Sequence, residues 1–126
     1  MRIGLDTSVA LRLLVGEPED QAQAARRAVD KHGGVVSDLV VGETYYALRH
    51  HYAVSHALAI SQLLALLRDE PRIVGSGVAA RVLADAARGG PGLLDRLIHA
   101  DYGREDVLTY TFDRAAARLE GARLVE

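Results

Sequence analysis

The stretch Arg2-Ile3-Gly4-Leu5-Asp6-Thr7-Ser8-Val9 decides the fold class. Arg2–Leu5 is a short apolar run that meets Asp6, Thr7 and Ser8, residue types that cap helices. Apolar residues continue at helical spacing to Val15, where Gly16 and Pro18 stop them. A buried strand feeding a capped helix is the first half of a strand–helix unit. The same alternation recurs along the chain. Val35-Val36-Ser37, Arg72-Ile73-Val74 and Val107-Leu108-Thr109-Tyr110-Thr111 are short and rich in β-branched residues, so they read as strands. Arg123-Leu124-Val125 offers a last short strand. Helical spacing fills the intervals: Glu19 to about His32, Asp38 as cap to about Tyr52, Ser55 as cap toward Pro71, Ala79 to Arg88, and Leu93 to Gly103. Asp113 starts a short helix through Leu119. Gly89-Gly90-Pro91-Gly92 is the clearest loop. The expectation is one α/β domain over residues 1–126: three α/β/α layers around a central parallel sheet of four to five short strands.

Composition limits what such a domain does. The chain has 126 residues, 49% of them hydrophobic and 25% charged, enough for a self-supporting core. It has no cysteine, which excludes a disulfide scaffold, a thiolate metal site and a cysteine nucleophile. No apolar run approaches the roughly 18 residues of a membrane span, and Asp6 interrupts the N-terminal apolar stretch. A soluble cytoplasmic protein is expected. The net charge of −2 argues against a general polyanion-coating protein. Fourteen of the 15 basic residues are arginine, a fork that suits phosphate, although an Arg-rich codon bias gives the same count.

In parallel α/β sheets, ligands bind at the carboxyl ends of the strands. Asp6, Asp38 and Asp113 stand at three of those ends. Each also suits a helix N-cap. Glu43 is harder to place as structure. Its helical neighbours are Leu39, Val40, Tyr46 and Ala47, so the pattern sets a carboxylate on an apolar face, unless it reaches solvent at an edge. Asp95 sits similarly beside Leu94 and Ile98, though it is also a first-turn acid favoured by the helix dipole. Should Asp6, Glu43, Asp95 and Asp113 converge, their repulsion demands a cation. Carboxylate oxygens select a hard ion, Mg²⁺ or Mn²⁺. Carboxylates around such an ion serve phosphodiester chemistry.

Ile3-Gly4-Leu5-Asp6-Thr7-Ser8-Val9, Val36-Ser37-Asp38-Leu39-Val40-Val41-Gly42-Glu43, Asp95-Arg96-Leu97-Ile98-His99-Ala100 and Thr109-Tyr110-Thr111-Phe112-Asp113-Arg114 resemble, in order, the motifs of PIN domains. The likeness is nearest to VapC-type toxins of toxin–antitoxin pairs and covers essentially the whole chain. It implies a Mg²⁺- or Mn²⁺-dependent endoribonuclease, commonly a homodimer, held in check by a cognate antitoxin over its acidic cleft. By position, Asp6, Glu43, Asp95 and Asp113 match the family's metal-binding, catalytic acids. Ser8 and Thr111 match the small polar residues that support them. Ser8 stands where members often carry Asn, and the fourth acid is the family's most variable. Arg12, Arg49, Arg96 and Arg114 lie near the motifs as candidate phosphate contacts, each with a salt-bridged or solvated alternative.

His99 reads better as a satisfied helix histidine than as a ligand. His50 and His51 read as surface residues. Tyr45, Tyr46 and Tyr52 are able to stack bases, but their spacing favours packing in a core or dimer.

Other readings compete. Gly75-Ser76-Gly77-Val78-Ala79-Ala80 matches G-x-G-x-x-A, but after the third strand rather than the first, so a nucleotide cofactor is not expected. A receiver domain needs a Lys after a late strand, and Lys31 is the only one. A non-catalytic PIN-like binding module and an RNA-maturation nuclease without an antitoxin stay open.

Overall fold

The computed structural model describes residues Met1–Glu126. The chain runs β1 (Ile3–Gly4), α1 (Thr7–Val15), α2 (Glu19–His32), β2 (Gly34–Val36), α3 (Asp38–His50), α4 (His56–Arg68), β3 (Ile73–Gly75), α5 (Ala79–Ala87), α6 (Leu93–Arg104), β4 (Thr109–Thr111) and β5 (Ala122–Leu124). A 3-10 turn at Ala116–Arg118 replaces the short helix expected after Asp113, because only Ala116 of that turn is buried against a neighbour. None of the helices is long and apolar enough to cross a membrane.

All five strands pair in parallel, as the alternation predicts, but not in one ladder. β1, β2 and β3 form one sheet in that order, while β4 and β5 pair separately. The expectation of a single four- to five-stranded sheet is corrected here. The cause lies in β1. Ile3 and Leu5 give their N–H groups to Gly33 and Val35 on the β2 side, at 2.9 Å each. Side alternates along a strand, so a two-residue strand has almost nothing left for a ladder on its other edge.

Valines, isoleucine and leucines from several elements make the core. Val29 of α2, Val36 of β2, Val41 and Leu48 of α3, Ile60 and Leu63 of α4, Leu83 of α5 and Leu93 of α6 are all at most 2% exposed. Burying each stabilises the fold by roughly 1.5–3 kcal/mol relative to leaving it in water.

Two local devices fix the helices that carry the acids. At Gly42 of α3, an added Cβ would lie 3.0 Å from a methyl of Leu94 and 3.5 Å from one of Leu97. Only glycine lets α6 come this close without displacing those leucines. At the start of α3, Arg104 approaches Asp38 to 4.0 Å. Early α3 thus meets late α6, and one turn further along α3 the beginning of α6 arrives. The two helices run antiparallel, with a groove between them.

The second device corrects the reading of Asp38. Ser37, not Asp38, caps α3, its Oγ accepting from the Val40 N–H at 3.2 Å. Asp38 caps α5 instead. Its Oδ2 accepts from the Val78 N–H at 3.1 Å and its Oδ1 from the Ala79 N–H at 3.0 Å. A Cβ on Gly77 would stand 2.3 Å from Oδ2, so Gly77 is there to admit this carboxylate. The G-x-G-x-x-A match is explained by this fit. The helix terminus where a cofactor phosphate would bind already holds an anion, the Asp38 side chain.

Candidate active site

Asp6 is the N-cap of α1, directly after β1. Its Oδ1 accepts from Ser8 Oγ at 2.6 Å and from the Val9 N–H at 3.1 Å. Those two bonds, the Ser8 hydroxyl first, hold the Asp6 carboxyl below its ordinary 3.8, against a smaller opposing effect of burial. No hydrogen bond engages Oδ2.

Glu43 lies on α3 beside the start of α1. Thr7 Oγ1 donates to its Oε1 at 2.9 Å. The apolar neighbours in sequence do not bury it: Glu43 is exposed, at the rim of the groove between α3 and α6. The edge position is therefore the observed one. Small residues on either side, Gly42 and the buried Thr44, leave the carboxylate room to reach solvent.

Asp113 follows β4. Its Oδ1 accepts from the Ala116 N–H at 2.9 Å, and its own N–H donates to Thr111 Oγ1 at 3.0 Å. Thr111 thereby fixes the backbone from which Asp113 projects. Asp95, in the first turn of α6, is half-buried and makes no hydrogen bond through its side chain.

A pattern links three of these acids. Asp6, Glu43 and Asp113 each have one oxygen held by a neighbour and the other open. None of the four acids has a basic partner. All the ion pairs lie elsewhere: Arg26 with Asp30 and Glu70, Arg88 with Asp85, and Arg104 with Asp38 and Asp101. Uncompensated carboxylates with free oxygens are the donor set a hard divalent cation takes. The side chains do not close around one point, and no three acidic or histidine side chains gather within reach of a single ion. Like charges without a counter-ion stand apart.

The candidate phosphate contacts divide. Arg12 donates through Nε to Gln21 Oε1 at 2.6 Å and ties α1 to α2. Arg49 donates to the Val54 carbonyl at 3.2 Å. Arg96 clasps the glycine-rich loop, donating to the carbonyls of Pro91 at 2.9 Å and Gly89 at 2.8 Å. Arg114, beside Asp113, is exposed and has neither an ion pair nor a hydrogen bond, so it alone of the four has an uncommitted guanidinium.

His99 is satisfied, as its sequence setting suggests. Its ring lies 2.7 Å from Thr109 Oγ1 through Nδ1 and 2.6 Å from the Glu120 carbonyl through Nε2. A carbonyl only accepts, so Nε2 carries the proton and Nδ1 accepts from the threonine. Tyr45 is half-buried, its hydroxyl 2.7 Å from His56 Nδ1, whereas Tyr46 is exposed.

Sequence reasoning passed over three residues. Thr7 orients Glu43, Gly42 sets the approach of α6, and Gly77 admits Asp38. Thr7 had a signal, a hydroxyl between two site residues. The two glycines had none, since what they avoid comes from distant parts of the chain.

An exposed, hydrogen-bond-oriented set of acids at the strand ends of an α/β fold defines the class of site. The sequence matches the PIN domain family model over residues 3–122, and the chain belongs to that family. The PIN fold is generally a metal-dependent nuclease fold acting on RNA. A comparison with curated proteins gives no match.

Proposed function

We propose that this PIN domain is a Mg²⁺- or Mn²⁺-dependent endoribonuclease and the toxin of a toxin–antitoxin pair. One observation carries the nuclease reading: Asp6, Glu43 and Asp113 each hold one oxygen in place and leave the other open, with no basic side chain to neutralise them. Asp6, Glu43 and Asp95 would hold the ion, directly or through water, with Asp113 completing the site. A bound divalent ion supplies phosphate polarisation and a water nucleophile at neutral pH. The protein's own groups do the positioning. Ser8 and the Val9 N–H keep Asp6 ionised and fix its rotamer. Thr7 aims Glu43, and Thr111 holds the backbone of Asp113. Arg114 is free to meet a phosphate of the RNA.

The toxin role and the homodimer rest on the resemblance of the motifs to VapC-type toxins. A cognate antitoxin would present a basic side chain to the uncompensated acids and cover the apolar groove beside Glu43. The test is incubation of the purified, antitoxin-free chain with tRNA, rRNA and mRNA in Mg²⁺, Mn²⁺ or EDTA, with Asp6→Asn alongside. Discrete fragments that need metal and disappear in the variant support the reading. No cleavage by a folded protein with either metal removes it. The separation of the acids favours a second reading, a non-catalytic PIN module that binds RNA or protein. Such a module gains no thermal stability from Mg²⁺ or Mn²⁺.

A further inference from the structure

We propose that Tyr46 is the stacking platform for the base next to the scissile phosphate. The inference rests on the ribonuclease reading and extends it to how RNA is seated. The groove between α3 and α6 encloses about 680 Å³, room for a nucleobase and its sugar. Glu43 lies on its α3 wall and Tyr46 follows one turn on. Three residues of helix rise about 4.5 Å. Successive bases along a strand are spaced by about 3.4 Å. A phosphate engaged at Glu43 therefore brings a neighbouring base to the tyrosine.

Tyr46 is built to receive it. The side chain is 51% exposed, unusual for a residue so close to the core. The His50 ring packs on it with centroids 4.3 Å apart and a tilt of 39°, bracing the phenol without enclosing it. Across the groove stand Leu94 and Ile98, both exposed and both uncharged. The remaining carboxylates of the groove, Asp38 and Asp101, lie toward the opposite end, where Arg104 approaches both. Phosphate is disfavoured there. The aromatic end is left for a base, and stacking there is tolerant of sequence because every base has a π-face.

The test measures steady-state kinetics on a short RNA containing the preferred cut, intact or with an abasic residue on either side of it. Tyr46→Ala should raise KM for the intact RNA about tenfold with kcat unchanged, in the range that losing one base stack gives. Tyr46→Phe keeps the ring and should restore most of the loss. One of the two abasic RNAs should reproduce the defect in the wild type and add nothing further in Tyr46→Ala. Leu58→Ala, an exposed apolar residue of α4 outside the groove, should leave KM unchanged. Equal KM values for Tyr46→Ala and wild type on intact RNA overturn the proposal while the nuclease reading stands. A changed sedimentation mass in Tyr46→Ala with RNA kinetics intact assigns the groove to a second copy and also overturns it. A wild type that cuts no RNA ends the nuclease reading. Titration of a 2-aminopurine oligonucleotide then decides: quenching that Tyr46→Ala abolishes keeps the platform, and no quenching overturns it.

Discussion

Asp6 and Asp38 invite comparison. Both follow a strand of the same parallel sheet, and both sit at a helix N-terminus. Asp38 spends both oxygens on the backbone of α5 and has Arg104 near it. Asp6 spends one oxygen on its own helix, leaves the other open and has no cation nearby. One carboxylate is consumed by architecture and the other is kept for a ligand. Residue type and position at a strand end do not separate them. What surrounds the second oxygen does.

The strongest way to break that contrast is to neutralise each acid in turn. Asp6→Asn should cut metal-dependent cleavage of RNA by about a hundredfold or more, the scale of losing one preorganised electrostatic group. It should leave the fold intact, since Asn also caps helices. Asp38→Ala should do the reverse. It strands two N–H groups of α5 and should cost about 1–2 kcal/mol, read as a lower urea midpoint. Cleavage per folded molecule should be nearly retained. Equal activity losses in the two variants would dissolve the distinction.

Gly77→Ala sharpens the contrast from the other side. A methyl at 2.3 Å from Asp38 Oδ2 must expel the carboxylate or shift the loop. The expected cost is about 1–3 kcal/mol, and Asp38→Ala in the same chain should recover part of it. Failure of the pair to couple would mean that the loop yields elsewhere.

Metal supplies a third comparison. Mn²⁺ at 100 times its Kd should raise the unfolding free energy of the wild type by about 2.7 kcal/mol. Asp38→Ala should keep that gain and Asp6→Asn should lose most of it, by differential scanning fluorimetry.

Acid titration gives the smallest effects. Arg26, by its hydrogen bonds and charge, holds the Glu70 carboxyl below its ordinary 4.5. A depressed carboxylate stabilises above its unfolded pKa and loses that contribution as pH falls through the folded value. The stability attached to Glu70 is thus full above about pH 4.5 and disappears below it, and Arg26→Ala should flatten this limb in urea melts. Asp6 has the same sign from 3.8 downward. Ser8→Ala should let the proton compete with Mn²⁺ at a higher pH than in the wild type, seen in the pH dependence of Mn²⁺ binding.

Much of this was legible in the sequence, for identifiable reasons. Strand and helix periods are local, so the element order and the parallel pairing followed from the runs around Ile3, Val35, Ile73 and Thr109. Asp6 could be singled out because its cap geometry lies within three residues. Helical spacing put Glu43 beside Leu39 and Tyr46, but whether that face was covered depended on where α6 lay. Asp38 was assigned to its own helix because its real partners, Val78 and Ala79, are 40 and 41 residues away. The separation of β4–β5 depended on the two-residue length of β1, and strand ends are the least local part of a strand. Which arginines were free likewise rested on carbonyls such as those of Gly89 and Val54.

The imidazole of His99 has a consequence of another kind. Through Thr109 and the Glu120 carbonyl it grips β4 and the turn leading into β5, while its own backbone belongs to α6. No strand ladder joins that pair to the rest of the sheet. Asp113 is thus mounted on a bracket, and His99 is one of its bolts. Movement of α6 carries Asp95 directly and Asp113 through this ring. Two acids distant in sequence therefore shift together, and the aperture that admits an ion is adjusted by one helix.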